Sequence, residues 1–389
     1  MELLVFGLNH KTAPLGLRER WSFSPGESEL ALERINSQLA GSEHLILSTC
    51  NRTEFYSAIP ASSGLARNLN GEGSPLDELA SFYLGEGKEN AEIDDHFYLY
   101  RQEHAVKHLF RVAGGLDSMI VGETEIVRQL KDAYALSEKN AASGKMFRRL
   151  FPEALKVGKK VRTSTSISEG CITPGQAALR LALEVLGELT EKKALLIGSG
   201  VVASLTAKAF IEQELRNFSV MNRTTESAEA MLEEIKPEGG KLEAEIIPLD
   251  KGLVNAIVSS DLVISSTSSI EPIVTAENIR DVQRQRGSNP LVIIDLAVPR
   301  DIEPGSGEIE GVHLFNIDDL NRVIQGNLSS RHDQFAKAEE IVKKQIDVFY
   351  GQLNYLEVDP VIRHLIERFE NIRRGELQST LENFPPEQH

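Results

Sequence analysis

The chain has 389 residues, more than one hydrophobic core usually serves, and its 41% hydrophobic and 26% charged residues are an ordinary globular balance. No apolar run of about 18 residues occurs, so no membrane-spanning helix is expected. Two cysteines, Cys50 and Cys171, cannot build a disulfide framework and fit a reducing, cytoplasmic setting. The net charge of −16 argues against a general nucleic-acid binder, DNA included, although a local patch can differ from the total.

The opening residues, Met1 to His10, read as a strand, with neither the basic start nor the small-residue cleavage site of a signal peptide. Short apolar runs at Leu3–Phe6 and Leu45–Leu47, mixed with helical stretches, predict an α+β domain over residues 1–155. Loops rich in Gly, Ser and Asn are expected at 60–75 and 86–92.

The run Leu45-Ile46-Leu47 leads into a polar burst, Ser48-Thr49-Cys50-Asn51-Arg52-Thr53-Glu54. A thiol at such an edge is poised rather than buried. If the backbone stays extended, Arg52 shares a face with Cys50, and a nearby cation favours the nucleophilic thiolate. A lone cysteine is also a common small core residue, and the polar, basic neighbours weigh against that here. Cys171, in the turn Gly170-Cys171-Ile172-Thr173-Pro174-Gly175, has no such neighbours and reads as structural. His10 and His108 read as structural too, because no second ligand stands at helical or turn spacing to complete a metal site, and no metal is expected.

Between Lys145 and Arg162 stand Lys145, Arg148, Arg149, Lys156, Lys159, Lys160 and Arg162 against one acid, Glu153. Charge alone makes this a solvated helix face or a local binding patch.

Residues 156–312 comprise a linker and then alternating strand and helix signals. Ala194–Ile197, Ser219–Met221, Ala244–Ile247, Leu262–Ser265 and Leu291–Asp295 are short apolar or β-branched runs, with a helical run Ala203–Arg216 after the first. That rhythm predicts a parallel, Rossmann-type α/β sheet. Gly198-Ser199-Gly200-Val201-Val202-Ala203 fits G-x-G-x-x-[GA] between strand and helix, the context the motif needs. The first glycine permits the tight turn, the second lets a pyrophosphate approach the backbone, and the small third residue lets helix and strand close up. The second strand ends on Asn222-Arg223-Thr224, where an NAD site would carry an acid. A guanidinium and a hydroxyl suit a 2′-phosphate, so NADPH is expected.

Residues 313–389 predict a long helix over about 318–357, with Leu328, Phe335, Ala338, Val342, Ile346, Phe349, Leu353 and Leu356 in a stripe, ended by Pro360. A second stripe follows: Val361, Leu365, Phe369, Ile372, Leu377 and Leu381. Two such helices need a partner, and a second copy of the chain is the simplest one. A thiol nucleophile plus a hydride donor suits interconversion of an acyl group and an aldehyde through a thioester.

With these residues in view, the chain resembles the glutamyl-tRNA reductase family over nearly its whole length. Asn9-His10-Lys11-Thr12-Ala13-Pro14 with Leu17-Arg18-Glu19-Arg20, the Ser48–Glu54 segment, Gly115-Leu116-Asp117-Ser118 with Gly122-Glu123, Asp295–Ile302 and Asn316–Leu320 look like that family's motifs in its order. The resemblance implies NADPH-dependent reduction of glutamyl-tRNA(Glu) to glutamate-1-semialdehyde, the first step of tetrapyrrole synthesis by the five-carbon route. It implies Cys50 as nucleophile, with Thr49, Asn51, Arg52, Ser118, Glu123, Thr124, Glu125 and Gln129 around the glutamyl group. It also implies a homodimer built on the C-terminal helices, with the downstream glutamate-1-semialdehyde aminotransferase as a candidate partner.

The chain departs from the family pattern in places. Tyr100 stands where the family usually has a histidine, with His104 four residues on as a substitute if that segment is helical. Glu123-Thr124-Glu125 replaces Glu-Pro-Gln and adds an acid near an anionic substrate. Cys171-Ile172-Thr173-Pro174 replaces a serine-rich segment, and Val201, Val202 and Ala203 replace more typical residues of the glycine loop. Two alternatives remain open at this point. One is a reductase-like regulatory binding protein. The other is a shikimate-type NADP dehydrogenase, which would leave Cys50 and the C-terminal stripes unexplained.

Overall fold

The computed structural model describes residues 1–69, 74–84, 93–119, 122, 125–167, 173–237, 242–249, 252–287, 289–325 and 332–382. Glu123, Thr124, Cys171, Leu328 and the whole of the expected loop at 86–92 lie outside the described residues.

The N-terminal domain runs β1 (Glu2–Asn9), α1 (Leu15–Arg20), α2 (Pro25–Gln38), β2 (Glu43–Thr49), β3 (Arg52–Ile59), α3 (Gly64–Asn68), α4 (Pro75–Leu84), α5 (Ile93–His96), β4 (Tyr98–Arg101), α6 (Glu103–Ala113), α7 (Glu125–Lys139) and α8 (Phe147–Ser164). Its four strands pair antiparallel in the order β2-β3-β1-β4. Both faces are covered, so apolar side chains alternate between two cores. Leu3, Val5, Leu45, Leu47 and Tyr56 face α6 and α8, while Leu4, Phe6, Ile46 and Phe55 face Trp21, Leu32 and Tyr83. One expected loop is partly helical: Ser63 caps α3 by accepting from the Ala66 N–H at 3.1 Å.

The second domain holds α9 (Pro174–Leu186), β5 (Lys193–Ile197), α10 (Val201–Glu212), β6 (Asn217–Asn222), α11 (Thr225–Ile235), β7 (Glu243–Pro248), α12 (Leu253–Val258), β8 (Leu262–Ser265), α13 (Ala276–Arg286), β9 (Leu291–Asp295) and β10 (Val312–Asn316). All six strands are parallel, in the order β10-β9-β8-β5-β6-β7. The order reverses between β5 and β8, which places the binding crevice at their carboxyl ends.

The C-terminal helices differ from expectation. The stripe read as one helix from about residue 318 begins as two elements, α14 (Ile317–Gln325) and α15 (His332–Glu382). Ile317, Leu320 and Ile324 of α14 are buried in the core of the parallel-sheet domain, so that helix belongs there. Pro360 does not end α15, which is helical through all 51 residues. A proline removes one rung of the ladder, and the turns on both sides carry the helix across it. Nor does the first stripe await a second chain: Ala338, Val342, Ile346 and Phe349 are buried against α6 and α8 of their own domain. Of the second stripe, Phe369, Ile372 and Leu377 are more than half exposed, and so is Ile366 beside them. Among the described residues no helix is long and apolar enough to cross a membrane.

Candidate active site

Cys50 and Asn51 form the two-residue connection between β2 and β3, and Thr49 pairs with Arg52 across it. The Thr49 hydroxyl accepts from the N–H groups of Asn51 and Arg52, both at 3.2 Å, which tightens the turn. Cys50 is half-buried and in no disulfide. It opens onto a cavity of about 630 Å³. Phe23, Ser48 and Thr49 line the same side, while Thr267, Ser268, Val298 and Pro299 of the parallel-sheet domain form the opposite wall.

The reversal at residues 50–51 overturns the expectation that Arg52 shares a face with Cys50. A hairpin turn, not an extended backbone, separates them. Arg52 is 1% exposed and its guanidinium is committed elsewhere. It donates to Glu54 at 2.6 Å, to the Asp117 carbonyl at 2.5 Å and to the Asp117 carboxylate at 3.3 Å. The cation at the hairpin tip is Arg18. Its Nη1 donates to the Cys50 carbonyl at 2.7 Å and to the Asn51 side chain at 3.4 Å, and its Nη2 reaches Asp318 at 2.5 Å.

Glu54 is the hub of a buried polar cluster under the hairpin. It accepts from Arg52, from the Tyr56 and Tyr98 hydroxyls at 2.6 and 2.5 Å, and meets His108 Nε2 at 2.8 Å. Burial alone would raise its pKa; Arg52 first, then His108, outweigh burial and hold the carboxyl well below the usual range. Asp117 joins from the other side, bonded to Lys11 at 2.6 Å. Ser118 beside it is buried, and its hydroxyl has no partner among the described residues. Tyr100 packs on the His108 ring, centroids 4.8 Å apart. His104 is exposed in the first turn of α6, four residues before His108. His10 follows β1 and donates its backbone N–H to the Asn51 carbonyl at 2.9 Å. Burial first, then Arg52, lower its pKa to about 3, so its ring is neutral at neutral pH. Glu125, the extra acid, is half-buried and salt-bridged to Arg128 on the same helix, at 3.0 Å from its Nε. Gln129 is half-buried one turn on; neither it nor Glu125 lines the Cys50 cavity.

The glycine turn fits a dinucleotide. Gly198 has φ +94°, and a Cβ there would lie 2.4 Å from the Ser266 carbonyl. Gly200 is the N-cap of α10 and supplies no side-chain cap hydrogen bond, with Ser199 before it and Val201 and Val202 opening the helix. Ala203 is fully buried, as close helix–strand packing requires. At the end of β6, Asn222 donates to the Thr224 carbonyl at 3.0 Å and Thr224 to Ser227 at 2.8 Å, an ordered loop that presents Arg223 to solvent. The turn adjoins the cavity, because the residue against Gly198 leads directly into Thr267 and Ser268. Asp301 fixes that stretch, accepting from Ser265 at 2.7 Å and from the Thr267 N–H at 2.9 Å. Asp295 accepts from the Ala297 and Ile302 N–H groups, and burial pushes its pKa up to about 7.

The sequence pointed to Cys50, Thr49 and the glycine turn, and these adjoin one cavity. It assigned no individual role to Arg18, Glu19, Glu54 or Asp117, and it read His108 as structural. The available signal was the polar, charged pair Arg52 and Glu54 on a strand with apolar neighbours on both faces. Among the described residues no three metal-ligating side chains cluster.

Residues 6–165 match the N-terminal domain of glutamyl-tRNAGlu reductase, residues 180–323 the shikimate/quinate 5-dehydrogenase model, and residues 337–389 the dimerisation domain of glutamyl-tRNAGlu reductase. The chain is 37% identical over 390 residues to the glutamyl-tRNA reductases of Geotalea uraniireducens and Geobacter sulfurreducens, covering 100% of this chain and 86% of each relative. A solved glutamyl-tRNA reductase from Methanopyrus kandleri is 32% identical, covering 98% of this chain and 88% of that one, at a TM-score of 0.49. Identity at that level across the whole length places the family beyond its separate motifs: the chain belongs to the glutamyl-tRNA reductases.

Proposed function

We propose that this chain reduces glutamyl-tRNA(Glu) to glutamate-1-semialdehyde through a thioester on Cys50, with NADPH as reductant. The carrying observation is the shared cavity, with a thiol on one wall and, on the other, residues continuous with a dinucleotide-binding turn. Cys50 Sγ attacks the ester carbonyl, the bond to the tRNA 3′-terminal oxygen breaks, and that oxygen leaves with a proton. The nicotinamide, when bound, supplies a hydride to the thioester carbon. The carbon–sulfur bond then breaks, the aldehyde departs, and Cys50 is regenerated as thiolate. The nucleotide domain binds a nicotinamide cofactor, and Arg223 with no acid at the end of β6 favours NADPH over NADH. Arg18 donates to the Cys50 carbonyl at the tip of the hairpin.

Thr49, Asn51 and Ser118 lie close to the hairpin and are the candidates for holding the glutamyl group, with Arg52 ordering the backbone beneath them. The tRNA needs a phosphate-binding surface on an acidic protein. Lys145, Arg148, Arg149, Lys156, Lys159 and Lys160 on and before α8 are all exposed and supply one. The reactive aldehyde product suits direct hand-over to the aminotransferase that consumes it, in the cytoplasmic setting that the cysteine usage fits.

The test omits the reductant. Radiolabelled glutamyl-tRNA mixed with the protein and quenched in acid should leave label on the chain, released by hydroxylamine. Cys50→Ser should abolish labelling, because serine is a far weaker nucleophile without an activating base. Labelling that persists in Cys50→Ser overturns the mechanism.

A further inference from the structure

Two consecutive residues of α1 grip the two walls of the cavity. Arg18 is 2% exposed and uses its whole guanidinium fork: Nε to the Ala13 carbonyl at 3.3 Å, Nη1 to the Cys50 carbonyl at 2.7 Å, Nη2 to Asp318 at 2.5 Å. Asp318 lies on α14, whose apolar face is part of the nucleotide-domain core. Glu19 binds Arg300, the residue directly after the wall residues Val298 and Pro299. Its Oε1 accepts from the Arg300 backbone N–H at 2.9 Å and from Nε at 2.7 Å, and its Oε2 accepts from Nη2 at 2.7 Å. Leu15, one turn earlier, is buried in the nucleotide-domain core rather than in its own domain's. A single short helix therefore pegs into one domain while its charged residues hold the thiol hairpin and the facing wall.

We propose that Arg18 and Glu19 are positioning residues: a two-pair clasp that sets the distance between the Cys50 acyl group and the nicotinamide, and so governs the reduction half-reaction rather than thioester formation. This rests on the Cys50 thioester reading above. Each domain has its own core, so the clasp is not needed to build either. Its Glu19 arm grips main chain as well as side chain, which fixes Val298–Pro299 in place. Acylation needs the thiol and the aminoacyl end alone, both met within the first domain. Reduction needs the two walls in register, where a displacement of about 1 Å costs on the order of 100-fold.

The test separates the half-reactions in the full-length enzyme. Deacylation of radiolabelled glutamyl-tRNA without NADPH reads the first, and glutamate-1-semialdehyde formation with NADPH reads the second. Glu19→Gln should keep deacylation within about 2-fold of wild type and lower aldehyde formation by roughly 10- to 100-fold. The double variant Glu19→Arg/Arg300→Glu should regain a substantial part of that loss, which a merely folded-state role would not predict. If both half-reactions fall together in Glu19→Gln, or neither changes, the clasp is overturned. If wild type itself fails to deacylate, the thioester reading is overturned and the clasp with it.

Discussion

Arg52 and Glu54, two residues apart on β3, form an ion pair at 2.6 Å in which both side chains are at most 1% exposed. Side chains at i and i+2 share a face of a strand, so the pair is dictated by the strand's own period. Its charges are tolerated because each carries further hydrogen bonds, to Asp117 from Arg52 and from Tyr56 and Tyr98 to Glu54. Glu54→Ala should cost about 3–5 kcal/mol in urea denaturation, because Arg52 is left buried without its main partner. The folded pKa of Glu54 is depressed, so its contribution is complete above the unfolded carboxylate pKa and lost as pH falls below it. Wild-type stability should therefore drop in acid more steeply than that of Glu54→Ala.

A milder pH dependence comes from His44. It lies buried between Ser42 and Ser57, at 2.6 and 2.8 Å, and burial lowers its pKa to about 3. The unfolded chain takes up a proton near pH 6.5 that the folded chain refuses until about pH 3, so stability falls as pH drops through that window. Between pH 7 and pH 5 this amounts to about 2 kcal/mol. Denaturation midpoints of wild type and His44→Gln, compared across that range, should diverge at neutral pH and converge in acid; parallel curves would rule the effect out.

Arg223, proposed to meet the cofactor's 2′-phosphate, is exposed just past β6, where the strand ends on Asn222 rather than an acid. NADPH should bind more tightly than NADH, and Arg223→Ala should narrow the gap by roughly 1.5–3 kcal/mol, the worth of a hydrogen bond to a charged group. Fluorescence titration with both cofactors measures it, and a wild-type preference for NADH would reverse the assignment.

The basic face of α8 should reveal itself through salt. Arg148→Glu with Arg149→Glu should raise KM for glutamyl-tRNA and flatten the dependence of log KM on log salt by about 1 for each phosphate the variant no longer neutralises. The kcat should stay near the wild-type value, since the face lies outside the cavity lining. An unchanged salt slope would return this face to a purely solvated role.

The parallel sheet was legible because its inner strands β5, β6, β8 and β9 are buried and read as continuous apolar runs; Leu262–Ser265 and Leu291–Asp295 coincide with β8 and β9 to the residue. β10 went unread because its pattern, Val-His-Leu-Phe-Asn, is that of a half-exposed edge strand and lacks such a run. The thiol was visible from its neighbours, but the direction of Arg52 was not, since a two-residue turn without glycine gives no local sign of reversal. The Glu54 cluster joins residues 9, 11, 52, 54, 98, 108 and 117, which the order of β3, β1 and β4 and the packing of α6 on them bring together. Likewise the partner of Glu19 stands 281 residues away, in another domain, and no spacing rule reaches that far.

The long helix α15 has one further consequence. Its first third lends Ala338, Val342, Ile346 and Phe349 to the catalytic-domain core, while its last third holds out Ile366, Phe369, Ile372 and Leu377. Covering that outer stripe in a dimer orders the same helix whose other end supports the chemistry. Folding and association are then linked by mass action, and the melting temperature becomes a function of concentration. Each tenfold dilution weakens the associated state by about 1.4 kcal/mol per dimer, so a sample at enzyme-assay concentration is a less stable protein than the same sample in a calorimeter.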